Sequence, residues 1–143
     1  MSGIFSIFKI TASALTAQRL RMDLIASNVA NAETTRSADG GPYQRQLAVF
    51  AADPPRFNLV GRVEEPGRGV RVQQIVADDT PGQRVYDPDH PDADENGYVT
   101  YPNVNIATEM TDMLSATRAY EANVTVFNAL KSMALRALDI GKA

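Results

Sequence analysis

Two segments of this chain repeat their apolar residues every seven positions, and the stretch between them does not. Phe8, Leu15, Met22 and Val29 make the first series, with Thr11, Gln18 and Ile25 at the intervening positions. That spacing keeps returning to one face of a 3.6-residue helix and predicts a helix from about Ile4 to Ala30. At 1.5 Å per residue it would run roughly 40 Å, with Gln18 a polar flaw in its stripe. Ile106, Met113, Tyr120, Phe127 and Ala134 make the second series, joined by Met110, Val124 and Leu138. Pro102 and Asn105 offer this helix a start, Glu109 suits the positive end of its dipole, and Gly141 with Lys142 offers a stop. Its length would be near 50 Å, about 1.5 Å per residue.

From Arg36 to Tyr101 the period changes. Most of the Gly and Pro residues fall here, around short alternating runs: YQRQLAVFA (Tyr43 to Ala51), RGVRVQQIVA (Arg68 to Ala77), QRVYD (Gln83 to Asp87) and GYVTY (Gly97 to Tyr101). These read as strands separated by turns. The expected fold class is therefore α+β: two long terminal α-helices paired as a coiled-coil-like unit, with a small β-rich middle domain. The expected boundaries are 1–35 for the N-terminal helix and its polar end, 36–101 for the middle domain and 102–143 for the C-terminal helix.

A helix near 50 Å is longer than a chain of this size is wide, since a compact fold of this length has a radius of gyration of about 14 Å. Much of its stripe must pack outside the β domain, and the N-terminal helix is the nearest partner. Pairing still leaves Phe5, Leu20 and Leu24 on the first helix to spare, and Leu114, Leu130, Met133 and Leu135 on the second. Surplus apolar surface of this kind predicts self-assembly or docking of a partner helix. A lone amphipathic helix gains most of its stability from packing, so the second helix is expected to be ordered by assembly.

Composition narrows the function. With 143 residues, 44% of them apolar, the chain can build one domain of ordinary size. Its 14 basic and 17 acidic residues give a net charge of -3, and the scattered arginines make nucleic acid a poor partner. There is no cysteine, which removes disulfides, thiolate metal sites and a Cys nucleophile. No apolar run approaches the roughly 20 residues that span a bilayer, so no membrane insertion is expected. The apolar start, Ile4 to Ile10, followed by Ala12-Ser13-Ala14, imitates a secretory signal. It has no basic n-region, Lys9 interrupts it and the helical pattern runs through the supposed cut, so it is expected to be retained.

Catalysis finds little to work with. There is one histidine, no Gly-rich phosphate loop and no nucleophile elbow, while Asp78-Asp79 and Glu64-Glu65 are adjacent acids flanking turns. No enzyme and no cofactor are expected. DADENG (Asp92 to Gly97) matches the first half of an EF-hand loop, with Asp92, Asp94, Asn96 and Gly97 at positions 1, 3, 5 and 6. Position 12 is Asn103 instead of Glu, and Pro88 and Pro91 bar an entering helix. An Asx turn leading into a strand at Tyr98 is the better reading, with a calcium-dependent binding module as the alternative from another functional class. His90, beside Pro91, reads as a solvated turn residue.

One motif carries more than pattern. SNVANAETT, Ser27 to Thr35, resembles the short signature near the N-terminus of bacterial flagellar rod and hook proteins. YDPDHPDADENGYVTYPNVN (Tyr86 to Asn105) with MLSATRAYEANV (Met113 to Val124) is similar to the proximal-rod members of the flagellar basal-body rod family. The resemblance covers about half the chain. It implies a structural subunit exported unfolded by the flagellar type III apparatus and assembled as a helical tube in the periplasm, at the basal body. It implies contacts with copies of itself and with other rod proteins; another rod or hook axial component is the nearest alternative. The helix stripe Phe8, Leu15, Met22, Val29, Met110, Met113, Tyr120, Val124, Phe127 and Leu138 would then line the subunit interfaces.

Within such a tube the polar signature has a physical purpose. Asn28, Asn31 and Thr34 lie on one face at the end of the first helix and can bond a neighbour's backbone or a frayed helix end. For Asn31, capping its own helix is an equal reading; for Asn28, a turn earlier, bonding to another helix or subunit is favoured. In the second signature Arg118 and Glu121 form an i, i+3 pair, with Asn123 close by, and the resemblance adds a role at a subunit contact.

Overall fold

The computed structural model describes residues 2–38, 40–54, 56–57, 63–65 and 69–141. Among these residues two long helices, α1 (Ser2–Ala30) and α2 (Ile106–Ile140), flank six strands in sequence: β1 (Gln46–Asp53), β2 (Arg56–Phe57), β3 (Val63–Glu65), β4 (Gly69–Ala77), β5 (Arg84–Tyr86) and β6 (Tyr98–Thr100). The α+β class follows, with a few antiparallel strands between the helices. α2 begins where Asn105 predicts, its side chain accepting from the Thr108 amide at 3.2 Å. At the other end the Gly141 amide closes on the Ala137 carbonyl at 3.2 Å.

The helices run antiparallel, as four contacts show. Phe8 meets Phe127 edge to face with ring centroids 5.1 Å apart. The Thr117 hydroxyl lies 3.6 Å from the Met22 sulfur. Arg21 reaches Asp112 at 3.3 Å, and Asn28 reaches Glu109 at 3.0 Å. From Phe8 to Asn28 along α1 the partners run back from Phe127 to Glu109 along α2. From Phe127 back to Glu109 the seam spans about 27 Å, while α2 as a whole runs about 52 Å at 1.5 Å per residue. On this register the last turns of α2 project past the first residues of α1.

The seam differs from the expected stripe in one row. Met113, Tyr120, Val124, Phe127 and Ala134 are half-buried, but the buried residues of α2 are Glu109, Ala116 and Leu130, and Met110 and Leu138 lie off the inner face. Met110 and Leu138 are consequently 65% and 58% exposed, whereas Glu109 and Ala116 are wholly buried. Two residues counted as surplus are not: Leu24 and Leu130 are buried, and Leu20 is half-buried. Phe5, Leu114, Met133 and Leu135 are exposed as expected. α2 pairs with α1 within one chain over part of its length, and its last turns keep Met133, Leu135, Leu138 and Ile140 exposed.

In the middle, β1 pairs with β4 and β2 with β3, both antiparallel, as two separate two-stranded sheets. The pairing of β2 and β3 is not legible in the sequence, because runs of two and three residues carry no readable alternation. A register shift between Val49 and Phe50 bends the ribbon. The ribbon lies along α1 and is pinned near Gly69, where the Val70 amide donates to the Ser13 hydroxyl at 3.1 Å. Gly69 has φ +98, and a Cβ there would stand 2.2 Å from that hydroxyl. Only glycine fits both demands.

The second ribbon, β5 with β6, brackets the Asp/Pro loop. Asp94 organises that loop. Its carboxylate accepts from the Asn96 and Tyr98 amides, each at 2.9 Å, and Gly97 takes φ +77 to complete the turn. Across the ribbon Tyr86 and Tyr98 meet edge to face at 5.2 Å, and the Arg84 guanidinium sits over the Tyr98 ring at 5.1 Å.

Candidate functional site

The SNVANAETT segment ends α1 and delivers its polar residues to three separate tasks. Asn28 is wholly buried. Its amide nitrogen donates to the Gln46 carbonyl at 2.9 Å and to the Glu109 carboxylate at 3.0 Å. Its amide oxygen accepts from the Gln46 amide at 2.9 Å and from the Tyr43 hydroxyl at 2.9 Å. All four hydrogen-bonding positions of the side chain are filled, as burial requires. Asn28 thus bonds another helix, α2, and the first residue of β1, all within its own chain.

Asn31 takes the capping role: its side chain donates to the Ser27 carbonyl at 2.9 Å, beside the backbone bond that its own amide makes to the same oxygen at 3.1 Å. Thr34 supports that cap by donating to the Asn31 side-chain oxygen at 3.2 Å. Neither residue is placed against α2.

Glu109 is the centre of the arrangement, although the sequence marks it only as a first-turn acid. Its second oxygen accepts from Arg45 Nε at 2.6 Å, and its side chain is 1% exposed. Arg45 also faces Asp112 at 3.4 Å and Asp78 at 3.9 Å. Its backbone amide donates to Asn103, whose side chain in turn donates to the Asp78 carbonyl at 2.8 Å. Charge in a dry site is costly unless it is both paired and hydrogen-bonded, and here it is both. The signal that could have revealed Glu109 is its place three residues after Ile106 and four before Met113, an acid on the inner face of an apolar stripe. Nothing in the sequence marks Arg45 as its partner.

The remaining residues of the expected stripe divide in two. Phe8, Leu15, Met22, Val29, Met113, Tyr120, Val124 and Phe127 are half-buried, and Met110 and Leu138 are open. Beside the open Met110 lies an apolar groove of about 400 Å³ lined by Ile25, Ala26, Val29, Ala30 and Met113. Arg118 and Glu121 are both exposed and form no ion pair with each other. Three residues along a helix bring side chains near without obliging them to pair, and exposed charges gain little by doing so. Asn123 donates to the Ala119 carbonyl of its own helix at 2.8 Å.

The half-EF-hand pattern is spent on local structure. Asp94 holds the turn, while Asp92 accepts from the Thr35 hydroxyl at 2.8 Å and pairs with Arg36. The Thr35 hydrogen bond holds the Asp92 carboxyl below its ordinary value, with Arg36 and His90 assisting against partial burial. For Asp94 the Tyr98 amide does the same, helped by the Asn96 amide and Arg84. The Thr80 hydroxyl lowers Asp78. His90 accepts from the Asp92 amide at 3.1 Å through Nδ1 and lies edge to face with Tyr101. Among the described residues no group of three or more His, Asp or Glu side chains could hold a metal ion. No described helix is long and apolar enough to cross a membrane.

An antiparallel helix pair carrying a polar signature at one end and open apolar surface elsewhere fits a structural protein. Residues 8–36 match the family described as flagella basal body rod protein, and residues 95–140 match the C-terminal family of the flagellar basal body rod FlgEFG proteins. These two matches contain most of the helix pair and the Asn28–Glu109 contact. Near-full-length similarity is more particular. The flagellar basal-body rod protein FlgC of Borreliella burgdorferi is 48% identical, covering 96% of this chain and 97% of that protein. FlgC of Bacillus subtilis is 44% identical over 96% of this chain and 98% of its own length. For FlgC of Salmonella typhimurium the identity is 40%, over 98% and 99%. The chain belongs to the flagellar basal-body rod protein family, a family of structural proteins and not of enzymes.

Proposed function

We propose that this chain is a structural subunit of the proximal rod of the bacterial flagellum, exported by the flagellar type III apparatus and built into a helical tube in the periplasmic space. It packs there against copies of itself and against other rod proteins. One observation carries the reading: apolar side chains remain open at both ends of the helix pair after the helices have paired. Phe5 is 66% exposed, Met110 65% and Ile140 79%. Apolar surface left at opposite ends of one unit favours head-to-tail contacts, which extend into filaments instead of closing.

On this reading the three segments 1–35, 36–101 and 102–143 correspond to axial core, middle domain and axial core. Met110 and Leu138 contact neighbouring subunits, and so do the exposed Arg118 and Glu121. The half-buried stripe residues act indirectly, by holding the pair that presents them. Near-full-length similarity to proteins named FlgC favours the proximal rod over the hook or other rod components, although one terminal match is shared with the FlgEFG proteins.

The test is Met110→Asp combined with Leu138→Asp. Both positions are open, so the purified variant should keep the circular dichroism and thermal midpoint of the parent. In cells lacking the parent gene it should fail to restore rods and motility. A motile variant with normal rods would overturn the proposal.

A further inference from the structure

The seven-residue repeats that pair the helices do not by themselves choose a register. Moving α2 by one repeat would place Phe127 opposite Leu15 and Tyr120 opposite Met22, apolar against apolar again. Such a pair could slide by about 10 Å with little change in the kind of residues it buries. Yet the seam also contains two wholly buried polar side chains, Asn28 and Glu109, joined at 3.0 Å. After the same shift Asn28 would face Ala116, and Glu109 would lie beyond the end of α1.

We infer that the buried Asn28–Arg45–Glu109 cluster is the register-setting device of this protein, selecting one of several apolar-equivalent helix alignments and tying that choice to the β1–β4 ribbon. The link to the ribbon is direct. Asn28 makes a two-bond contact with the Gln46 backbone, where β1 starts, and Arg45 precedes that residue. The cluster therefore forms only when α1, α2 and β1 are all in their native places. Arg45 and Gln46 lie 17 and 18 residues from Asn28, so the same chain supplies them at high local concentration, which favours own-chain pairing over exchange with a neighbour. A single buried polar residue fixing register in an apolar seam is the best-attested use of such groups. The inference concerns the isolated chain and stands apart from the reading of how chains assemble.

The chain has no cysteine, so introduced pairs report cleanly. Phe8→Cys with Phe127→Cys reads the native register, and Leu15→Cys with Phe127→Cys reads the shifted one. In dilute, verified monomer the parent should oxidise the first pair and leave the second almost unreacted. In the triple variant Asn28→Leu, Arg45→Met, Glu109→Leu, the yield of the shifted pair should rise at least about tenfold while helical content is kept, since apolar replacement of a buried ion pair need not unfold a protein. Asp112→Asn, which alters the half-exposed partner of Arg45 and Arg21 and leaves the buried Asn28 and Glu109 in place, should leave the native pair dominant. Exclusive native cross-linking in the triple variant would overturn the inference. So would its unfolding, which would make the cluster a source of stability, and so would an equal shift from Asp112→Asn.

Discussion

Asn28 and Glu109, 81 positions apart in the chain, hydrogen-bond at 3.0 Å in the interior, and each is wholly buried. Their contact joins the two ends of the molecule at a point where neither side chain has water to fall back on. Asn28→Ala should destabilise the fold by about 2–4 kcal/mol, because the Gln46 backbone groups and one Glu109 oxygen lose their partner. Asn28→Asp should be worse, because it sets a second carboxylate against Glu109 and an acceptor against the Gln46 carbonyl. Urea denaturation of the two variants measures both effects; a smaller loss for Asn28→Asp than for Asn28→Ala would contradict the second.

Met22 is half-buried in the helix seam, with its sulfur 3.6 Å from the Thr117 hydroxyl. Met22→Asp should uncouple the helices at a cost of about 3 kcal/mol or more, since an acid there has no cation on the opposing face. Met22→Leu keeps the volume and should cost under about 1.5 kcal/mol. Thermal unfolding of the two variants side by side checks the difference.

Two glycines with similar backbone conformations separate strain from crowding. Gly40 has φ +87 with nothing within 4 Å of a built Cβ; Gly69 has φ +98 with the Ser13 hydroxyl at 2.2 Å. Gly40→Ala should cost about 1 kcal/mol, from left-handed backbone strain alone. Gly69→Ala should cost roughly 2–3 kcal/mol, with part recovered in a Ser13→Ala background, because the clash is removed while the backbone strain stays.

Acid should loosen the Asp/Pro loop through Asp94. The Tyr98 amide is the main cause of its lowered pKa. A carboxyl depressed in the folded state contributes stability that is fully present above its unfolded value of about 3.9 and is lost as pH falls through the lower folded value. The loop should therefore hold from neutral pH down to about pH 4 and open below it. Following the Tyr98 amide by NMR tests this, and a midpoint above about 4 would contradict it.

Hydrogen exchange should divide α2 into two parts. Residues 109–127 pair with α1, and the stretch beyond Lys131 carries the exposed Met133, Leu135, Leu138 and Ile140. In a monomer the first part should be protected and the second should exchange at least about tenfold faster, as expected of a helix end whose apolar residues lack a partner. Uniform protection to Ile140 would show that the end packs within its own chain.

The sequence alone determined the helices, the class of fold and the family. Seven-residue periodicity is a local property, and 29- and 35-residue helices leave many repeats to read. Asn105 and Gly141 acted within a few residues of themselves, as caps do, and so did the turn residues Asp94 and Gly97. What only the tertiary structure decided were meetings across the chain. Met110 and Glu109 are neighbours, and hydropathy puts Met110 inward; the acid went inward because Arg45 and Asn28 were there to bond it. The same limit explains why Asn28 could be recognised as a polar contact but its partners could not be named. Arg118 and Glu121 sit close enough in sequence to pair, yet exposure to water left them little to gain. Periodicity tells which face of a helix is apolar; the partner, register and charge compensation depend on residues tens of positions away, which only the folded chain brings together.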